Sequence, residues 1–143
     1  DASIINKTIP LDYFFELPYA NQYDFFIALD INGINTDSFI VRNTAWSRKW
    51  LDFILSKEPD YRQDCWTEQR VIINHWQEPT WIHKIMILPQ SMINAYNYPE
   101  YLWGKDTSGQ VNKGDFIYHA PGCDLKLRME IFTSQWYKDL IVA

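Results

Sequence analysis

Residues 114–123 read GDFIYHAPGC, a short apolar run that ends on His119 and then turns on proline and glycine. An imidazole at a strand end beside a tight turn has three uses: metal ligand, general base, or a packed ring with its nitrogens satisfied. His75 and His83 have no comparable setting and read as structural. A second concentration of polar chemistry is the stretch WTEQRVI over residues 66–72. Glu68 there either meets a substrate or sits as a helix-start carboxylate that favours the helix dipole. The two cysteines, Cys65 and Cys123, admit one pairing and lack a zinc-type spacing such as CxxC. A disulfide, suited to a secretory compartment, and two buried free thiols both remain open. Asn6-Lys7-Thr8 is the one N-glycosylation sequon, a tripeptide that often arises by chance.

Placing these residues requires a framework, and the hydrophobic periodicity supplies one. Residues 11–16 read as a helical turn that stops before Pro18. Residues 23–29 (YDFFIAL) read as a strand, 30–33 (DING) as a turn, and 38–42 as a buried strand. Trp46, Trp50, Phe53 and Ile54 recur at helical spacing, which predicts an amphipathic helix capped by Asn43-Thr44 and ending near Lys57 before Pro59. A second helix is predicted over residues 67–76, with Val71 and Ile72 on one face. Alternation over Ile82, Lys84, Met86 and Leu88 predicts a strand. Residues 91–115 are polar and Tyr-rich and read as loop, 116–119 as a strand, and 127–141 as a C-terminal helix. Strands alternating with helices make the class α/β with a mixed sheet.

The composition narrows the function. With 143 residues, 47% hydrophobic and 22% charged, the chain can pack a core and is one domain or a piece of one. The net charge of −5 gives no basic face for gripping nucleic acid. Aromatic residues reach 17%, with seven Trp and nine Tyr. Most of these Trp belong in a core, while one or two are expected to line a sugar-binding cleft, where flat rings stack on the C–H faces of pyranoses. No run of 18 apolar residues is present to span a membrane. The chain is expected to be a segment of a longer protein, with any membrane anchor outside it. The Phe39 strand and the Trp46 helix are expected to leave apolar faces open when the segment stands alone, and so to promote self-association.

Four stretches, INTDSFIVRNTAWS (34–47), WTEQRVI (66–72), LPQSMINAY (88–96) and GDFIYHAPGC (114–123), carry a resemblance across nearly the whole chain. Together and in this order they resemble the C-terminal half of the catalytic domain of glycosyltransferase family 34. This is the fungal galactosyl/mannosyltransferase group, to which plant xyloglucan xylosyltransferases are related. The resemblance implies that residues 1–143 are the C-terminal part of a single GT-A (nucleotide-diphospho-sugar transferase-like) domain whose nucleotide-binding half lies upstream. It implies an enzyme that uses Mn²⁺ and retains anomeric configuration. The donor would be UDP-galactose or GDP-mannose and the acceptor a mannose-containing glycan. It further implies the Golgi lumen, reached by a type II membrane protein, and it allows assembly with other glycosyltransferases.

The resemblance also assigns residues. Asp1 matches the last aspartate of an Asp-x-Asp motif, and His119 matches the histidine before Gly122-Cys123, so both are implied metal ligands. Such a pair suits Mn²⁺, which takes carboxylate and imidazole together. Glu68 and Gln69 match an acidic-acidic-Gln stretch implied in catalysis, with Thr67 where relatives carry a second carboxylate. Asn35 and Ser38 match Asn-x-Gly-Ser-Phe beside the donor sugar, with Asp37 in the place of glycine, a position where φ > 0 would be awkward for it. Trp66 and Gly122 are implied in substrate binding. Lys126, or else Arg128, takes the phosphate role of a lysine that Asp124 replaces. The competing reading is a non-catalytic glycan-binding or scaffold subunit of a glycosyltransferase complex.

Overall fold

The computed structural model describes residues 2–97 and 108–143. In chain order the elements are β1 (Ala2–Ile4), α1 (Asp12–Glu16), a 3₁₀ turn (Ala20–Gln22), β2 (Phe25–Asp30), β3 (Gly33–Val41), α2 (Ala45–Ser56), α3 (Glu58–Tyr61), α4 (Thr67–His75), α5 (Pro79–Ile82), β4 (Ile85–Leu88), α6 (Gln90–Ile93), β5 (Ala95–Tyr96), β6 (Ile117–His119), α7 (Leu125–Thr133) and α8 (Gln135–Leu140). They form two compact units. One comprises Asp1–Leu11 with Pro89–Ala143, the other Asp12–Leu88. Each has its own three-stranded mixed sheet, in accord with the α/β class and compatible with a GT-A-like fold.

In the Asp12–Leu88 unit the sheet order is β3-β2-β4. The central strand β2 runs antiparallel to β3 and parallel to β4. Its residues Phe25, Phe26, Ile27 and Ala28 are all fully buried, as a strand covered on both faces requires. Helix α2 starts where Thr44 accepts a hydrogen bond from the Ser47 N–H, and it turns Trp50 and Ile54 inward. The Trp50 ring lies 5.0 Å from that of Trp81, 5.8 Å from Phe53 and 6.2 Å from Trp46. The apolar face of α2 is therefore covered inside its own unit, contrary to the expectation that it would stand open. Phe39 does remain 42% exposed. The strand expected from Ile82 begins later, because Pro79 opens the short helix α5 and Ile82 closes it. His75 pairs with Glu78 Oε1 at 2.6 Å, and His83 Nδ1 lies 3.1 Å from the Pro79 carbonyl, both local structural contacts.

In the other unit β6 is the central strand, antiparallel to β1 and parallel to β5. Ile5, Ala95, Val111, Tyr118, Ala120, Tyr137 and Leu140 form its core. The region expected to be loop holds α6 and β5, and its residues 98–107 lie outside the described residues. The expected single C-terminal helix is two helices. Ser134 adopts extended backbone (ψ 156) and its hydroxyl accepts from the Tyr137 N–H, so it ends α7 and caps α8. The sequon asparagine is engaged in the fold. Asn6 is 7% exposed, its Nδ2 donates to the Gly114 carbonyl at 2.8 Å, and its Oδ1 accepts from the Thr8 N–H and hydroxyl. Both cysteines are free thiols. Among the described residues no helix is long and apolar enough to cross a membrane.

Burial of the Tyr118 phenol, with Cys123 and Tyr137 adding to it, pushes its pKa from 10.0 up to about 12. The unfolded chain releases this proton near its ordinary value while the folded chain holds it longer. Stability therefore falls as pH rises through the window from 10.0 to about 12. Denaturation midpoints across that window should show a decline that is shallower in Tyr118→Phe. Equal slopes in both proteins would contradict the assignment.

Candidate functional site

In the Asp12–Leu88 unit the sugar-side candidates gather at an interruption of the sheet. The β2–β3 ladder pairs Ile27 with Phe39 and then Ala28 with Asn35, so residues 36–38 bulge out of register. A bulge of this kind re-aims side chains that a regular ladder would fix to alternate faces. Asn35, 4% exposed, shapes it: Oδ1 accepts from the Asp37 N–H at 2.9 Å and Nδ2 donates to Asp30 Oδ2 at 3.0 Å. Thr36 points its hydroxyl at the first turn of α4, 3.3 Å from Glu68 Oε1 and 3.4 Å from Gln69 Oε1. Ser38, 8% exposed, completes the bulge. Among the described residues Tyr19 is the non-glycine with positive φ, so Asp37 fills the usual glycine place without left-handed strain.

The start of α4 is held by a second set of contacts. Asp64 accepts from the Trp66 N–H at 2.8 Å and from Arg70 Nε at 3.0 Å, and the Arg70 guanidinium lies 4.9 Å from the Trp66 ring centroid. The Trp66 backbone hydrogen bond first, then Arg70, holds the Asp64 carboxyl below its ordinary range. Trp66 itself stays 40% exposed. The structure thus brings Glu68 and Gln69 to Thr36, within the bulge that follows Asn35 and ends on Ser38, with Trp66 at the head of the same helix.

The other unit carries His119, Gly122 and Lys126. His119 ends β6, fully buried, between Cα partners Ala2 on β1 and Tyr96 on β5. Its Nδ1 lies 2.8 Å from Asn94 Oδ1, and Asn94 is fully buried too. The Tyr96 ring meets the imidazole edge-on at 5.1 Å. Asn94 is in turn locked from several sides. Its backbone N–H donates to the Gln90 carbonyl at 2.8 Å, its carbonyl accepts from Gln90 Nε2 at 3.2 Å, and its Nδ2 donates to the Tyr96 hydroxyl at 3.3 Å. Gly109 lies so close that a Cβ there would overlap the Gln90 side chain. An imidazole gripped at one nitrogen by a rigid oxygen acceptor is the arrangement found for histidine metal ligands, so His119 fits a divalent ion.

Asp1 lies outside the described residues, but its neighbour Ala2 is the residue paired with His119. Among the described residues no group of three or more His, Cys, Asp or Glu is gathered for a metal. Gly122 has φ +67, a left-handed turn that accounts for glycine there. Asp124 caps α7 by accepting from the Leu127 N–H at 2.8 Å. Lys126 is 87% exposed and 3.9 Å from Glu130 Oε1. The residues without a role assigned from sequence are Thr36 and Asn94. Both sit inside quoted motif stretches, but their partners are 32 and 25 positions away, so only the folded chain shows what they touch.

The sequence profile of the galactosyl transferase GMA12/MNN10 family matches residues 6–130. An uncharacterized alpha-1,2-galactosyltransferase of Schizosaccharomyces pombe is 32% identical over 69% of this chain and 25% of its own length. A second protein of that yeast, named alpha-1,2-galactosyltransferase, is 31% identical over 73% of this chain and 27% of its own. A probable alpha-1,6-mannosyltransferase of Saccharomyces cerevisiae, MNN10, is 27% identical over 80% of this chain and 32% of its own. The chain thus spans between 25% and 32% of the length of these relatives. No solved structure gives a significant match.

The Gly109 contact yields a test of how Asn94 is held. Gly109→Ala should displace Gln90 and cost about 1 kcal/mol, the worth of a typical hydrogen bond. In a Gln90→Ala background the same substitution should cost close to nothing. Urea denaturation of the four proteins measures this cycle, and an equal cost in both backgrounds would contradict it.

Proposed function

The chain belongs to the galactosyl transferase GMA12/MNN10 family, and on that premise we propose that it is part of a metal-dependent, retaining hexosyltransferase. The enzyme moves galactose or mannose from a nucleotide sugar to a mannose-containing glycan. The observation that carries this reading is the buried His119, gripped at Nδ1 by Asn94. His119, with Asp1 as its partner from the sequence motif, is assigned as a ligand of Mn²⁺. When bound, the ion supplies positive charge to the pyrophosphate oxygens of the donor as the glycosidic bond breaks.

The remaining roles follow from the side chains. Asn35 and Ser38 at the bulge, and Glu68 and Gln69 beside Thr36, provide acceptors and donors for orienting sugar hydroxyls. Trp66 offers the apolar face for a pyranose ring. Gly122 admits the turn that carries the chain past His119, and Lys126 offers a cation to phosphate. No described residue is marked as a covalent nucleophile, so retention is assigned to same-face substitution, with the leaving phosphate taking the acceptor's proton. The names of the two Schizosaccharomyces pombe relatives favour galactose as the sugar. A Golgi lumenal setting, with the membrane anchor elsewhere in a type II protein, suits such a reaction.

The test is a donor screen on the full-length protein, following Mn²⁺-dependent release of UDP or GDP from each sugar nucleotide. One donor should turn over, the product linkage should keep the donor's anomeric configuration, and His119→Ala should lose at least about 100-fold in rate. No turnover of any donor with glycan binding intact would replace this reading with that of a non-catalytic glycan-binding subunit.

A further inference from the structure

We propose that Asn94 is a positioning residue that fixes His119 in one tautomer, with the proton on Nδ1 and the lone pair on Nε2, and thereby sets the site's affinity for a divalent ion. The metal half of this statement rests on the reading of His119 given above. The tautomer half rests on the contacts alone. A side-chain amide oxygen only accepts, so the Asn94 Oδ1 that stands 2.8 Å from Nδ1 calls for a proton on that nitrogen. Both residues are fully buried, where a mismatched donor or acceptor has no water to turn to.

What makes Asn94 a selector rather than a bystander is that its amide has a direction. Nδ2 donates to the Tyr96 hydroxyl at 3.3 Å, and Oδ1 faces the imidazole. Its backbone is tied twice to Gln90, so the side chain starts from a fixed point. The alternative arrangement, with the amide turned over, would present Nδ2 to Nδ1 and require the ring proton on Nε2. That tautomer cannot ligate through Nε2. The amide performs this selection without adding a charge to the site. A carboxylate at the same position would accept from Nδ1 in the same way, whereas an aliphatic side chain of equal size would accept nothing.

The experiment uses the full chain labelled with [¹⁵N]histidine, with the His119 signals identified by their loss in His119→Gln. In the metal-free wild type Nδ1 should show a pyrrole-type shift and Nε2 a pyridine-type shift. Asn94→Leu should lose that preference and bind Mn²⁺ about 10- to 100-fold more weakly. Asn94→Asp should restore both the Nδ1–H signature and near-wild-type affinity. A wild-type spectrum with the proton on Nε2, or an Asn94→Leu protein with unchanged tautomer, would overturn the proposal. If Asn94→Leu does not fold, the wild-type and Asn94→Asp spectra still decide it. Failure of the metal reading looks different: the Nδ1–H tautomer would be present, yet added Mn²⁺ would leave the His119 signals unbroadened, which overturns the affinity half and leaves the tautomer half standing.

Discussion

The hydrogen bond between His119 and Asn94 joins two fully buried polar side chains, and much of its unit is arranged to permit it. A buried polar group left unpaired costs about 1–3 kcal/mol, so neither residue can occupy its place alone. Asn94 reaches that place because α6 is a single turn whose end folds back on Gln90. His119 reaches it because it ends the central strand β6, beside Tyr96 of β5, whose ring meets the fully buried imidazole edge-on. The absence of a side chain at Gly109 lets a neighbouring segment close over Gln90. Each of these features is small, and each would be unnecessary if His119 were exposed.

The other unit uses a different device. Its sheet is regular along most of β2, and the regularity breaks where Thr36, Asp37 and Ser38 leave the ladder. Freed from alternation, Thr36 turns to Glu68 and Gln69, while Asn35 satisfies the bulged backbone through the Asp37 N–H. The packed aromatic cluster around Trp50 supplies the rigid support from which α4 presents those two residues. Departures from regular structure at sites of chemistry, backed by a well-packed core, are a common pattern in folded proteins.

The elements that strong periodicity marks were legible in the sequence: β2, α2, α4 and β6 lie where the alternation and the helical spacing put them. The short ones were not. α5 and α6 have four residues each and β5 has two, too few for a period to show. The break at Ser134 depended on a hydroxyl choosing to cap the next helix, a local competition that the apolar pattern does not record. For the candidate site, motifs marked His119, Glu68, Gln69, Asn35 and Ser38 as candidates, while the residues in contact with His119, Glu68 and Gln69 stayed hidden. Asn94 and Thr36 act through partners distant in sequence, and no spacing rule links them. The Asn6 sequon shows the converse. Its tripeptide is of a kind that often arises by chance, and the fold uses both ends of the amide in hydrogen bonds.

The central claim is that His119 is a metal ligand, and pulsed electron paramagnetic resonance of Mn²⁺ bound to the full-length protein tests it most directly. Echo modulation from a directly bound imidazole nitrogen is expected, with its isotope signature changed by [¹⁵N]histidine and with the modulation lost in His119→Gln. Bound Mn²⁺ without nitrogen modulation, or modulation that survives in His119→Gln, would contradict it.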